Sequence, residues 1–348
     1  MKSAVIGAGS WGTAIAHLLT DNGARVSLWA RRPQLAEEIR RWRENRSYLP
    51  GVGISDKILV TSDLEEALYD AEFVVMAVPS QSMRSIIREA GKYIKSHCVI
   101  VNAAKGIEIG TLLRMSQVMK EELPSECRTN IAVLSGPSHA EEVARRLPTA
   151  VVVAAEKKEV AEEVQDLFMN SYFRVYTNPD IIGVEMGGAL KNIIAICAGI
   201  AEGLGFGDNT RAALITRGII EITRLGVKMG AHPSTFSGLS GIGDVIVTCN
   251  SLFSRNRRAG IEIGRGKSVG EVMASTNMVI EGIHTTKAAY DLARRHGVEM
   301  PITEQAFGVL YEGKNPLDAV DALMMRKGKH EMEEVVEKEE KRQDLKTW

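Results

Sequence analysis

Along the first half of the chain, short apolar runs rich in β-branched residues alternate with stretches whose apolar positions recur every three to four residues. The runs fall at residues 4–6, 26–29, 58–60, 73–78, 99–101, 131–134 and 150–153. The amphipathic stretches between them include residues 12–22, 33–43, 82–93 and 157–170. Strands alternating with helices predict βαβ units and a mostly parallel sheet. Val-rich runs without a polar face predict strands covered by helices on both sides.

The pattern changes at Asn178-Pro179-Asp180, where Asn-Pro marks a turn and Asp180 suits a helix start. Beyond it helical windows dominate, at residues 181–203, 211–229, 282–296 and 303–311. The expected organisation is an α/β domain over residues 1–179 and a mostly α-helical domain over 180–326. A charged tail over 327–348 is expected to be a solvated helix or a loose end.

Composition narrows the function classes. The 348 residues are 45% hydrophobic and 25% charged, as in ordinary globular proteins. Forty-three basic residues nearly balance 44 acidic ones, for a net charge of -1, which argues against binding nucleic acid or an anionic membrane. Any anion site must therefore be built locally. Cys98, Cys127, Cys197 and Cys249 lie far apart, with no spacing that suggests zinc or a disulfide framework. No metal site is expected. The N-terminus reads as a strand rather than a signal peptide. The apolar stretch 193–201 is too short to span a bilayer. The expected compartment is the cytoplasm. A homodimer is expected from the frequency of closed two-fold symmetry.

Directly after the first predicted strand stands Gly7-Ala8-Gly9-Ser10-Trp11-Gly12, opening a helix. In this G-x-G-x-x-G pattern, Gly7 permits the tight turn and Gly9 lets backbone approach a pyrophosphate. Gly12 lets the helix pack close to the strand. Helix N-terminal amides then meet the phosphates. Strand, loop, helix and second strand follow in the required order, so a Rossmann-type dinucleotide-binding sheet is predicted. The second strand ends Trp29-Ala30-Arg31-Arg32, with no carboxylate where an NAD-preferring site carries one. Arg31, and secondarily Arg32, are suited to a 2′-phosphate, so NADP(H) is the preferred cofactor, with NAD(H) possible. The alternative is that both arginines are surface residues ahead of Pro33.

Gly187-Gly188-Ala189-Leu190-Lys191-Asn192 sits early in the first long helix of the second half. Helical spacing puts both glycines on the face of Lys191, giving it small neighbours and an apolar floor. Such a setting favours neutral lysine and suits proton transfer, although spacing alone equally allows a lysine that snorkels to solvent. In Gly241-Ile242-Gly243-Asp244, the acid could hold that lysine or simply cap a helix; Asp244 and Thr248 share a face if the segment is helical. Ser254-Arg255-Asn256-Arg257-Arg258 interleaves guanidinium forks, which match phosphate geometry, with neutral donors; the alternative is a solvated basic face. Lys105 follows the strand ending near Asn102, at the sheet edge where ligands bind. Ser135-Gly136-Pro137-Ser138-His139-Ala140 follows the next strand and offers donors at the same edge. Val78-Pro79-Ser80-Gln81 is expected to wall the cofactor, and His139 is read as structural.

Together these segments, with Val279-Ile280-Glu281-Gly282, resemble the NAD(P)-dependent glycerol-3-phosphate dehydrogenases of bacterial type over residues 1 to about 325. The resemblance implies a Rossmann domain followed by a helical domain. It also implies interconversion of sn-glycerol 3-phosphate and dihydroxyacetone phosphate without a metal, supplying phospholipid synthesis. Carried over by position, Lys191 matches the catalytic proton acceptor and Lys105 a residue touching cofactor and substrate. Gly136, Ser138, Asp244, Ser254, Arg255 and Asn256 match substrate positions. Ser10, Trp11, Arg31, Arg32, Ala140, Arg255, Val279 and Glu281 match cofactor positions. The rivals are a related dehydrogenase of 6-phosphogluconate or β-hydroxyacid type, and a non-catalytic NADP(H)-binding sensor.

Overall fold

The computed structural model describes residues 1–276, 278–328 and 331. Apart from residues 327, 328 and 331, the expected charged tail lies outside them. The strands are β1 (Lys2–Ile6), β2 (Arg25–Trp29), β3 (Glu44–Asn45), β4 (Leu49–Gly53), β5 (Leu59–Thr61), β6 (Phe73–Met76), β7 (Val99–Asn102), β8 (Ile131–Ser135), β9 (Thr149–Ala155) and β10 (Phe173–Asn178). Among them run α1 (Ser10–Asp21), α2 (Pro33–Trp42), α3 (Leu64–Leu68), α4 (Met83–Ala90), α5 (Met115–Glu122), α6 (Ala140–Ala144) and α7 (Lys158–Phe168). After β10 the described chain is helical: α8 (Ile181–Gly203), α9 (Asp208–Lys228), α10 (Asp244–Asn250), α11 (Arg255–Gly264), α12 (Val269–Ala274), α13 (Glu281–His296), α14 (Pro301–Tyr311) and α15 (Pro316–Met324).

The main sheet has the order β10-β9-β8-β7-β6-β1-β2-β5. Every pairing in it is parallel except β8 with β9. One face packs on α1, α2 and α7 through Leu18, Leu19, Ile39, Val164 and Phe168. The other packs on α4 and α5 through Met83, Ile87, Val118 and Met119. Burial on both faces explains the unbroken apolar strands. Because β1, β2, β6, β7 and β8 run the same way, their C-terminal ends share one edge, and every first-half motif singled out from the sequence leaves the sheet there.

Three features depart from the sequence reading. β10 was not expected, although Phe173 and Val175 are buried and Arg174 and Tyr176 exposed, the alternation of a half-covered strand. The β3–β4 hairpin is too short and irregular to show a period. The stretch 193–201 lies within the helix expected over 181–203, but that helix, against the reading that the apolar stretch is too short, is long and apolar enough to cross a bilayer by length and composition; 89% of its apolar window is buried inside the fold. An all-round apolar helix of this kind is the core of a helical layer.

α8 begins where Asp180 accepts a hydrogen bond from Gly183 N at 2.8 Å. It crosses α11 at unusually close range. A Cβ on Gly199 would lie 2.1 Å from the Arg257 carbonyl oxygen, and one on Gly260 would lie 2.2 Å from that of Ile196. These glycines let the two backbones touch, which brings the start of α11 over the Lys191 turn of α8.

Candidate active site

The glycine loop after β1 has the conformation its pattern requires. Gly7 has φ +117°, and a Cβ there would meet the Ala77 carbonyl oxygen at 2.6 Å. At Gly12 a Cβ would lie 1.8 Å from the Gly7 carbonyl oxygen, so only glycine lets α1 start so close. Gly9 lines the cleft, and a Cβ there would meet no atom within 4 Å. Gly9 is also the N-cap of α1, with no side chain bonded to the first amides. Those donors are left for an anion. Asn45 braces the loop from beneath, donating to Ala8 O at 3.0 Å and Thr13 Oγ1 at 2.8 Å.

At the end of β2, Arg31 is exposed and makes no hydrogen bond or ion pair among the described residues. Arg32 is committed to the Tyr48 hydroxyl at 3.0 Å, while Ser10 Oγ donates to the Tyr48 carbonyl at 2.6 Å. The two arginines are thus unequal, and Arg31 is the one with a free fork. No carboxylate follows β2 directly. The residues present therefore fit a pyridine dinucleotide: open amides, a glycine cradle and an unpartnered guanidinium.

At the opposite end of a cleft of about 380 Å³, two amines share one acid. Lys191 Nζ donates to Asp244 Oδ1 at 2.5 Å and to Thr248 Oγ1 at 2.7 Å. Lys105 Nζ donates to Asp244 Oδ2 at 2.6 Å and to the Gly136 carbonyl at 2.9 Å. Asp244 is 1% exposed and Lys191 7%, so the snorkelling alternative fails. The cap alternative fails too, because Gly243 is the N-cap of α10 and the Asp244 carboxylate turns to the lysines. Burial lowers the Lys191 pKa to about 8; the Asp244 charge resists that fall and the Lys105 charge adds to it. For Asp244, burial pushes upward, but Lys105 and Lys191 outweigh it and hold the carboxyl below its ordinary value.

Small residues make this packing possible. A Cβ on Gly187 would lie 2.5 Å from the Ser240 carbonyl, and one on Gly188 2.5 Å from Ser135 Oγ. Beside the amines, Ser135 Oγ and His139 Nε2 are buried without a hydrogen-bond partner among the described residues. Burial, reinforced by Lys191, lowers the His139 pKa to about 4, so this ring is neutral across the physiological range.

The basic run after Ser254 divides by role. Ser254 caps α11 by accepting from Arg257 N at 3.2 Å. Arg257 is buried and grips Glu202 through two bonds of 3.0 and 2.8 Å. Arg255 lines the cleft without a hydrogen-bonded partner among the described residues, and Asn256 donates to Asn192 Oδ1 at 2.8 Å. Across the cleft mouth, Glu281 accepts from Ser80 N at 3.0 Å and from Ser80 Oγ at 2.5 Å, tying α13 to the loop after β6.

Of the residues singled out from the sequence, Gly7, Gly9, Ser10, Trp11, Arg31, Arg32, Lys105, Ser138, Ala140, Lys191, Ser254, Arg255, Asn256, Val279 and Glu281 all line this one cleft. Gly12, Gly136 and Asp244 stand behind its wall. Sequence reasoning missed Asn45 and Tyr48, which no motif marks, and Asn192, whose adjacency to Lys191 was a usable signal.

A dinucleotide loop at one end of a cleft and a lysine–acid–lysine cluster at the other define the class of nicotinamide-dependent oxidoreductases that move a hydride and a proton together. The family described as NAD-dependent glycerol-3-phosphate dehydrogenase matches in both its parts, the N-terminus over residues 2–161 and the C-terminus over residues 180–321. Glycerol-3-phosphate dehydrogenase [NAD(P)+] of Pelotomaculum thermopropionicum is 58% identical over 334 residues, 96% of each chain. The enzyme of the same name from Bacillus cytotoxicus is 56% identical, over 96% of this chain and 98% of its own. The crystal structure of glycerol-3-phosphate dehydrogenase from Coxiella burnetii superposes with a TM-score of 0.89 at 37% identity, covering 93% of this chain and 99% of that one. The chain belongs to the NAD-dependent glycerol-3-phosphate dehydrogenase family, and is an NAD(P)-dependent oxidoreductase. Both rivals, a 6-phosphogluconate or β-hydroxyacid enzyme and a non-catalytic sensor, are set aside by this membership.

Proposed function

We propose that the chain reduces dihydroxyacetone phosphate to sn-glycerol 3-phosphate, with NADPH preferred over NADH. Residues 1–179 serve as the dinucleotide domain and residues 180–326 as the substrate domain. The observation that carries this reading is the pair of amines held on one buried carboxylate, 2.5 and 2.6 Å from its two oxygens, at the end of the cleft away from Arg31.

When bound, the reduced nicotinamide supplies a hydride to the substrate's C2 carbonyl. Lys191 gives a proton to the oxygen as it becomes an alkoxide, and in reverse takes it from the hydroxyl. Its lowered pKa, about 8, keeps both forms accessible near neutrality. Lys105 adds positive charge where the oxyanion develops. Asp244 holds both amines at the substrate end of the cleft. Arg255, with Ser254 and Asn256, takes the phosphate, and Gly136 and Ser138 border the glycerol part. Arg31 takes the 2′-phosphate of the cofactor and the α1 amides its pyrophosphate. Ser10, Trp11, Arg32, Ala140, Val279 and Glu281 shape the cofactor walls.

The product supplies phospholipid synthesis, the compartment is the cytoplasm, the chain does not insert in a membrane, and the assembly is a homodimer. Following NADPH absorbance on adding dihydroxyacetone phosphate, with NADP+ reduction by 6-phosphogluconate as comparator, tests the reaction. NADPH oxidation by the first substrate without NADP+ reduction by the second supports the reading. NADP+ reduction by 6-phosphogluconate alone, or turnover of neither, overturns it. Light scattering after size exclusion tests the dimer.

A further inference from the structure

We infer that Asn102 and Glu185 are positioning residues for Lys105, forming a buried strut that ties the loop carrying Lys105 to the helix carrying Lys191. The inference rests on the reading of the two lysines given above and adds what sets their separation.

Asn102 ends β7 and is fully buried. Its amide folds back on the peptide unit just before Lys105: Oδ1 accepts from Ala104 N at 3.0 Å, and Nδ2 donates to the Ala104 carbonyl at 3.2 Å. The same Nδ2 donates to Glu185 Oε1 at 3.4 Å. Both polar groups of Ala104 are thereby fixed by one side chain, whose orientation is in turn set by a carboxylate on α8.

Glu185 is 6% exposed and lies six residues before Lys191, roughly 9 Å along the same helix. It is anchored from a third element: Ser116 N donates to Oε1 at 2.8 Å, Ser116 Oγ donates to Oε2 at 2.6 Å, and the Arg114 guanidinium pairs with Oε2. A carboxylate fastening only α5 to α8 would stop at Arg114 and Ser116. This one reaches on to Asn102, and through it to the loop. Between Glu185 and Lys191, Gly188 lies beside the Lys105 stem: a Cβ there would stand 3.6 Å from Lys105 Cγ, at ordinary contact distance. The Lys105 stem is laid along the helix that carries Lys191, with its root held by Asn102. Lys105 Nζ is held by Asp244 and the Gly136 carbonyl, so the side chain is fixed at its head by these two acceptors and at its root by Asn102.

The test is a double-mutant cycle on the full chain: Asn102→Ala and Lys105→Ala, singly and combined, with Glu185→Gln as a second way to release the strut. Misplacing a catalytic group by about 1 Å costs up to roughly 100-fold. Asn102→Ala is therefore expected to lower kcat/KM for dihydroxyacetone phosphate about 10- to 100-fold while the protein still binds NADPH. Because the strut acts through Lys105, adding Asn102→Ala to Lys105→Ala should cost no more than about twofold further. The pH profile gives an independent readout. Lys191 faces Asp244 and Cys249 from α10, Lys105 from the β7 loop and His139 from the loop before α6. Moving Lys105 away removes one like charge, so the alkaline fall of the reductive rate should shift to higher pH in Asn102→Ala and Glu185→Gln. Losses that multiply in the double variant, or wild-type rates and profiles in both single strut variants, overturn the inference. If Lys105→Ala itself turns over at the wild-type rate, the reading of the lysine pair fails first. Should Asn102→Ala not fold, Asn102→Ser and Glu185→Gln carry the same cycle.

Discussion

Replacing Asp244 by Asn removes one charge and almost no volume from the centre of the amine cluster. In the native protein the two carboxylate oxygens stand 2.5 Å from Lys191 Nζ and 2.6 Å from Lys105 Nζ. A unit charge about 4 Å away is worth about 4 kcal/mol at an effective dielectric constant near 20, which corresponds to about three pKa units. Burial already lowers Lys191 to about 8, and Asp244 is the group that resists. Without it the Lys191 pKa should fall to about 5. Reduction needs the ammonium form, so the native rate falls as pH rises through about 8. In Asp244→Asn that fall should move to about pH 5, leaving roughly one amine in a hundred protonated at neutrality and a ~100-fold slower reduction. Acidifying the assay should restore much of the loss. The oxidative direction needs the neutral amine, so its rising limb should move the same way. Initial rates of NADPH oxidation across pH 5 to 10 read the shift directly. A loss of equal size at every pH, or a profile that overlays the native one, would refute the electrostatic role given to Asp244.

Other expectations follow from single contacts. Arg31→Asp should weaken NADPH binding about 10- to 100-fold, the worth of a charge-assisted bond, and leave NADH binding equal or tighter; fluorescence titrations that still favour NADPH would count against Arg31. Gly187→Ala places a Cβ 2.5 Å from the Ser240 carbonyl, which must shift the turn leading into Asp244. It should lower unfolding free energy by about 1–3 kcal/mol in urea melts and depress kcat with it, whereas native stability would show that the turn yields freely. Glu221 is 2% exposed and accepts from Ile302 N at 2.7 Å; burial raises its pKa to about 7 from an ordinary 4.5. A raised carboxyl pKa contributes stability that is full below the unfolded value and is lost as pH rises through the folded one. Up to roughly 3 kcal/mol should therefore disappear between about pH 4.5 and 7. Glu221→Gln should flatten that slope in melts between pH 5 and 8, and an unchanged slope would sink the assignment.

Much of this arrangement was legible because local pattern and tertiary demand agreed. The strand–glycine–helix opening could be read at Gly7, Gly9 and Gly12 since each glycine answers a separate steric need, which the structure shows at Gly7 and Gly12 as carbonyl contacts. Lys191 was legible through its small neighbours, but its state was not: spacing cannot tell a buried ammonium on Asp244 from a snorkelling one, because the acid arrives from 53 residues away. The run at 254–258 looked uniformly basic, yet Arg257 is a buried structural partner of Glu202 while Arg255 opens on the cleft. That division depends on which face α11 turns to α8. Asn45, Tyr48, Asn102 and Glu185 carry no local signature, since each makes at least one of its contacts across a gap of tens of residues. β10 did carry a signature in its alternation, and the antiparallel step from β8 to β9 did not.

The most direct test of the account is chemical rescue of Lys191→Ala. That variant should bind NADPH with native affinity and reduce dihydroxyacetone phosphate at least about 100-fold more slowly, within the range that general acid catalysis supplies. Added small primary amines should restore turnover in proportion to the concentration of the protonated amine, with a pH dependence that follows the amine used. Native turnover in Lys191→Ala, or a slow rate that no amine improves while Lys105→Ala responds instead, would contradict the assignment of the proton to Lys191.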